Sequence, residues 1–337
     1  MRSTLPILAS VSLAACATTP MPGDPAVPVY AVAETVPVAT ANEDAADDPA
    51  IWHNAASPSD SLIVATDKKG GLYVYGLDGE VKSFSEHPAL NNVDLVDMGD
   101  MGVIVFASDR SDPVNAGIML YRLDTANGTL TKLGRVATGP GEAYGICGTR
   151  RGNTLIVYTA PKSGRIGEWE IALDAAPAAR ELRTMQVRTQ PEGCVVDHRN
   201  GTLYIGEEDV GIWRFRSDAT TGELVAEVDG RKLVADVEGL ALVPEGTDGG
   251  WLYASSQGDN TYMRYALPDM TPAGRFRIAK GAFGSAEETD GIEAMAGDFG
   301  PAFPGGLFIA QDGMNEGKAQ NFKLVPLAEI EKALATE

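Results

Sequence analysis

The residues with the most chemical potential form short polar runs between apolar ones. In chain order they are Asp67, Lys68 and Lys69; Asp109 and Arg110; Lys162 and Arg165; Glu207, Glu208 and Asp209; Gln257 and Asp259; and Gln311 and Asp312. The cations fall in the first three runs, and acids dominate the last three. A second set of acids opens apolar strands: Asp47 and Asp48, Glu192, Asp236 and Glu238, and Asp290. Carboxylates that converge cannot all stay ionised and unpaired. Either their pKa values rise or a cation binds. Ligands made only of oxygen select hard cations, and numerous flexible carboxylates favour Ca2+ over Mg2+. Lysines and an arginine beside bound Ca2+ would suit a polyanion, above all phosphate. The alternative is direct salt bridging between the acidic and basic runs, with no metal or ligand. Zinc is disfavoured, because the only histidines are His53, His87 and His198 and none pair at ligand spacing.

Absent motifs narrow the chemistry further. There is no Gly-x-Ser-x-Gly elbow, no Cys-x5-Arg loop, no Walker loop and no dinucleotide fingerprint. Phosphoryl chemistry here has no covalent nucleophile to hand. A metal-activated water attacking phosphorus in line is the remaining route.

These residues need elements to hold them. Six segments share one design of apolar strand, polar interruption and apolar strand. They include "LIVATDKKGGLYVYGLDG", "LIVYTAPKSGRIGEWEIALD" and "LYASSQGDNTYMRYALPD". The six open at Leu62, Val103, Leu155, Leu203, Leu252 and Leu307, 41 to 55 residues apart. Each half alternates and is bounded by Gly, Asp and Asn, which marks a hairpin. Units of this length with little helical periodicity predict an all-β, six-bladed β-propeller, with a β-sandwich as the competitor. A polar start running into an apolar strand precedes each hairpin: "DDPAIW", "NNVDLV", "EAYGIC", "PEGCVV", "DVEGLAL" and "TDGIEAM". As innermost strands, these would bring their polar starts together at one mouth of the central channel.

The whole chain has 337 residues and a formal net charge of −20. Such a field repels nucleic acid and anionic lipid. "MRSTLPILASVSLAAC" reads as an export signal over 1–15 ending at a lipobox, so that Cys16 would carry a lipid anchor to the cell envelope. An ordinary cleaved secretory signal is the alternative. Residues 16–40, rich in Ala, Thr, Pro and Val, read as a flexible tether, and 41–335 as the propeller. Cys147 and Cys194 remain, either bridged or as two buried thiols. A propeller closes its own sheets, so a monomer is expected. Glu43 and Asp44 read as solvated.

The stretches "DAADDPAIW", "ATDKKGGLYVYGLDG", "NNVDL", "EGCVVD", "LYIGEED", "DVEGLAL", "ASSQGDNTY", "TDGIEAM" and "QNFKLVP" resemble the β-propeller phytases, the alkaline, calcium-dependent 3-phytase family. The resemblance runs from about Glu34 to about Ala328. It implies removal of phosphate from myo-inositol hexakisphosphate by direct attack of a calcium-activated water. It implies metal ligands at Asp47, Asp48, Asn91, Glu192, Glu207, Glu208, Asp236, Glu238 and Asp290. Asp312 and Asn315 would form a structural metal site. Phosphate binding would fall to Lys68, Lys69, Arg110, Tyr144, Lys162 and Gln257. Asp47, Asn91, Tyr144, Glu192, Asp236 and Glu238 would be the catalytic set. Rivals are another calcium-dependent propeller hydrolase, such as a lactonase or phosphodiesterase, and a binding propeller without catalysis. His53 departs from the family pattern, which has an apolar residue after the tryptophan.

Overall fold

The computed structural model describes residues 23–336. The export signal, Cys16 and the first residues of the expected tether lie outside them. Six sheets follow one another along the chain, each a blade of the propeller and antiparallel but for one added strand in blade five. The innermost strands are Ala46–Trp52, Leu90–Asp97, Gly145–Arg151, Pro191–Asp197, Val237–Glu245 and Ile292–Ala296, from blades one to six. Each touches the next, and the sixth touches the first, so the ring is closed.

The strands form where the sequence alternates, and the second and third strands of each blade are buried on both faces. Leu62, Val64, Leu72 and Val74 of blade one pack on Val93, Val103 and Val105 of blade two. Between blades five and six the filling is aromatic. Phe308 lies 5.3 Å from both Tyr262 and Phe276 and 5.6 Å from Tyr253, in edge-on contacts. Such pairs add about 0.5–1.5 kcal/mol beyond their area.

Of the stretch expected to be a flexible tether, residues 23–40 are instead part of the fold. β1 (Val27–Val29) joins blade five in parallel with Thr271–Ile278. β2 (Ala33–Glu34) pairs with Asn321–Pro326 and supplies the outermost strand of blade six. The cause is in its pattern: Val29, Ala31 and Val38 are buried and alternate with exposed Tyr30 and Val32. A period-2 apolar segment takes an open sheet edge when one is available. At the other end, α1 (Leu327–Leu334) buries Leu327, Ile330 and Leu334. Its Glu331 accepts a hydrogen bond from the Tyr253 hydroxyl at 2.7 Å and pairs with Arg264 at 2.5 Å.

Candidate active site

Tyr144, Glu192, Glu238 and Asp290 each precede a glycine at the start of an inner strand, and Asp47 and Asn91 hold the equivalent place in blades one and two. Those glycines decide how closely the strands approach. A Cβ on Gly239 would lie 2.6 Å from the Ile292 nitrogen and 2.7 Å from the Asp290 carbonyl oxygen. One on Gly291 would lie 2.6 Å from the Asp47 carbonyl oxygen, which instead accepts the Gly291 N–H at 3.0 Å. Only glycine permits this contact, and it carries each blade's acid against its neighbour's. The motifs "PEG", "DVEG" and "TDG" held this signal, but sequence reasoning weighed only their acids.

The structure brings together Asp47, Lys68, Asn91, Tyr144, Glu192, Glu208, Glu238, Gln257 and Asp290. Oxygens of Glu192, Glu208 and Glu238 all lie within 4.8 Å of one another. Asn91 donates to Glu192 at 2.8 Å, and Gln257 donates to Asp290 at 2.8 Å. Lys68 is not turned to the solvent as a free phosphate ligand. It is 7% exposed, with its ammonium 2.8 Å from Asp44, 3.0 Å from Asp290 and 3.1 Å from Asp47. Asp44, expected to be solvated, therefore has a partner, although it is 69% exposed.

The electrostatics follow from burial of like charges. Burial holds Glu238 well above the carboxylate range, and Glu192 beside it adds to this. Burial does the same to Asp290, although Lys68 pulls the other way. Glu208 is pushed up to about 7 by burial, partly offset by Gln190. Burial pulls the Lys68 ammonium down, but Asp47, Asp290 and Asp44 more than offset it and keep the group charged. Burial and then Glu192 hold the Tyr144 hydroxyl protonated.

One ammonium does not balance these carboxylates. Both Asp47 oxygens, Glu238 Oε2 and Asn91 Oδ1 are buried without a hydrogen-bond partner, since Lys68 reaches Asp47 outside hydrogen-bond geometry. Orphaned, buried, oxygen-only donors fit a hard metal cation. The acidic group can therefore hold a metal ion.

Other expected site residues stand elsewhere. Asp48 packs between inner strands and accepts the Val93 N–H at 3.1 Å. It joins two acids that sequence reasoning missed. Burial pushes Asp94 to about 7 and Glu293 to about 8. Both sit three residues after a ring position, Asn91 and Asp290, which was the available signal. Asp236 lies at the edge of the acidic group, close to Asp209 and to Glu208. Glu207 does not face the mouth: it is buried in blade four and accepts from Thr189 Oγ1 and Trp213 Nε1, both at 2.7 Å. At the expected structural metal site, the cation among the oxygens is the buried ammonium of Lys323. It lies 3.1 Å from Asp312 and Asn315, 3.0 Å from Asn321, and against Glu34. A resident ammonium supplies the counter-charge there. His53 is remote from the mouth; its Nε2–H donates to the Asp298 carbonyl at 2.8 Å and its ring packs on Phe299.

Across the mouth stand the remaining cations. Lys69 is 47% exposed, near Glu43 at 4.0 Å. Lys162 lies 4.5 Å over the Tyr144 ring, a cation–π contact. Arg110 and Lys162 share Glu142, a residue not singled out from the sequence.

Cys147 and Cys194 are bridged, joining the inner strands that carry Tyr144 and Glu192. Closing a loop of 47 residues, the bridge should contribute about 3–4 kcal/mol. The double variant Cys147→Ser/Cys194→Ser is therefore expected to unfold at clearly lower urea. An unchanged midpoint would deny the bridge that role.

The molecule is a six-bladed propeller whose channel mouth sets a buried acidic group against a half-ring of cations. A chain of the solved structure "Crystal Structure of Mitotic Checkpoint Complex" shares the fold, with TM-score 0.54 over 95% of this chain and 84% of its own. At 12% identity that likeness concerns the fold alone. The sequence relatives are narrower. The family described as Phytase matches residues 3–337. The "3-phytase" of Bacillus subtilis (strain 168) is 36% identical over 328 residues, covering 91% of this chain and 85% of its own. The chain belongs to the phytase family.

Proposed function

We propose that this protein is a calcium-dependent 3-phytase, a phosphomonoesterase acting on myo-inositol hexakisphosphate. The observation that carries this is the set of orphaned, buried oxygens at Asp47, Asn91 and Glu238, with Lys162 near enough to Glu208 to oppose the rise of its pKa. Family membership and the 3-phytase relative support the substrate class.

Asp47, Asn91, Glu192, Glu208, Glu238 and Asp290 would hold the metal. Bound there, calcium supplies charge neutralisation for a phosphate and an activated water. The chain's own groups do the rest. Lys69, Arg110 and Lys162 bind phosphate oxygens, Arg110 and Lys162 those of the phosphate next to the one that reacts. Tyr144 stays protonated and donates a hydrogen bond where a tyrosinate would repel. Lys68 and Gln257 fix Asp290. Water adds to phosphorus, the ester P–O bond breaks, and the products are phosphate and a lower inositol phosphate.

The test is phosphate release from phytate with and without a chelator. Release that stops on chelation and returns with Ca2+ supports the reading; no release with Ca2+ present ends it. Preference for a lactone or for bis-nitrophenyl phosphate would move the protein to another hydrolase class, and binding without turnover would make it a binding propeller. We further propose a monomer, exported and held to the envelope through lipid on Cys16. Cys16→Ser should release it from membranes.

A further inference from the structure

A carboxylate between two phosphate-binding cations is an obstacle to phosphate. Glu142 is such a group. Its Oε1 lies 3.7 Å from Arg110 Nη1 and 3.7 Å from Lys162 Nζ. These distances are too long for hydrogen bonds and short enough for charge attraction. Both cations thus lack a close anion there, whereas a phosphate oxygen would approach each to about 2.7–2.9 Å.

The placement of Glu142 lets its side chain leave without its backbone. Its carbonyl accepts the Lys162 N–H at 3.2 Å, which fixes the main chain. Its side chain is 35% exposed and has solvent to turn into. Lys162 stays in place meanwhile, held over the Tyr144 ring. The Arg110 main chain is fixed too, its backbone N–H donating to the Ala89 carbonyl at 3.0 Å.

We propose that Glu142 is an internal stand-in for a substrate phosphate, holding Arg110 and Lys162 in position and weakening their grip on any phosphate that displaces it. This rests on the proposed phosphate-binding role of those two cations. The charge count explains the consequence. With Glu142 in place the trio is +1, and a phosphate dianion would make it −1 unless the carboxylate turns away. A free phosphate ion has only those contacts to set against the repulsion. A substrate fixed at the acidic group through one phosphate presents the next at high effective concentration. Glu142 therefore discriminates against inorganic phosphate, the reaction's own product.

The test uses the calcium-loaded full chain and the variants Glu142→Gln and Glu142→Asp. Glu142→Gln should tighten inhibition by inorganic phosphate about 5–10-fold and lower KM for phytate. Its KM for 4-nitrophenyl phosphate, which has one phosphate, should stay unchanged. Glu142→Asp keeps the charge and should stay close to the unaltered enzyme. Unchanged phosphate inhibition in Glu142→Gln, or a raised KM for phytate, overturns the proposal. An unaltered enzyme that releases nothing from phytate overturns the function itself, a separate outcome.

Discussion

Replacing Glu238 by glutamine is expected to abolish phosphate release from phytate while stabilising the metal-free protein. The two effects have one cause. Glu238 Oε2 is buried without a partner, and burial and Glu192 already oppose its charge. Glutamine keeps the volume and removes the charge. In a metal-free fold that relieves an uncompensated buried anion, and replacing buried ionic groups is often stabilising. A relief of about 1 kcal/mol would raise Tm by about 2–4 °C in a chain of this size. The same change removes an anionic donor from the acidic group, and phosphate release should fall by about 100-fold or more. The stability arm is best read at the alkaline end of the range in which the protein stays folded, because burial and Glu192 favour the protonated glutamate at lower pH. A lower metal-free Tm, or phosphate release within threefold of the unaltered enzyme, would remove Glu238 from the site.

The second large effect is on stability against pH. Glu208, Glu238 and Asp290 all bind protons more tightly in the folded chain than an ordinary carboxylate does. The folded state then holds more protons than the unfolded one between the two values, so stability falls as pH rises. The stabilising part is fully present below the ordinary carboxylate range. It is lost as pH climbs through the folded values, about 7 for Glu208. Calcium needs the same groups deprotonated, so its affinity rises across the same window. The difference in Tm between calcium-loaded and metal-free protein should grow from near zero at pH 4.5 to about 5–10 °C above pH 8. Taking the difference cancels the opposite contribution of Asp109 and Asp197, whose carboxylates are lowered by hydrogen bonds to Ser111 and Arg135 and to Arg199, respectively. A Tm difference independent of pH would separate calcium from the acidic group.

The blades were legible because their signals are local. Alternating residues and Gly or Asp turns lie within some 20 residues of each other, as in "LIVATDKKGGLYVYGLDG". The ring of acids was legible because it recurs at one position of successive units. What failed was non-local or depended on which way a side chain faces. β2 finds its partner at Lys323 and Leu324, and nothing near Ala33 announces that. Glu207 and Glu208 are neighbours, yet only Glu208 joins the acidic oxygens at the mouth. Lys323 lies in an apolar strand, "NFKLVP", where a charged residue gave no hint of neutralising Asp312. Glu142 opens "EAYGIC" with nothing local to mark its role, which comes from two cations in other loops.

The closure of the ring by β2 also governs how the molecule assembles. Ala33–Glu34 is made before blades one to five, and its partner strand Asn321–Pro326 after them. Until both exist, blade six lacks its outer strand and presents an unpaired edge. The equivalent segment of a second copy offers that edge the same hydrogen bonds. Crowded refolding should therefore yield strand-exchanged dimers, each ring completed by the other chain's β2, and dilution should suppress them.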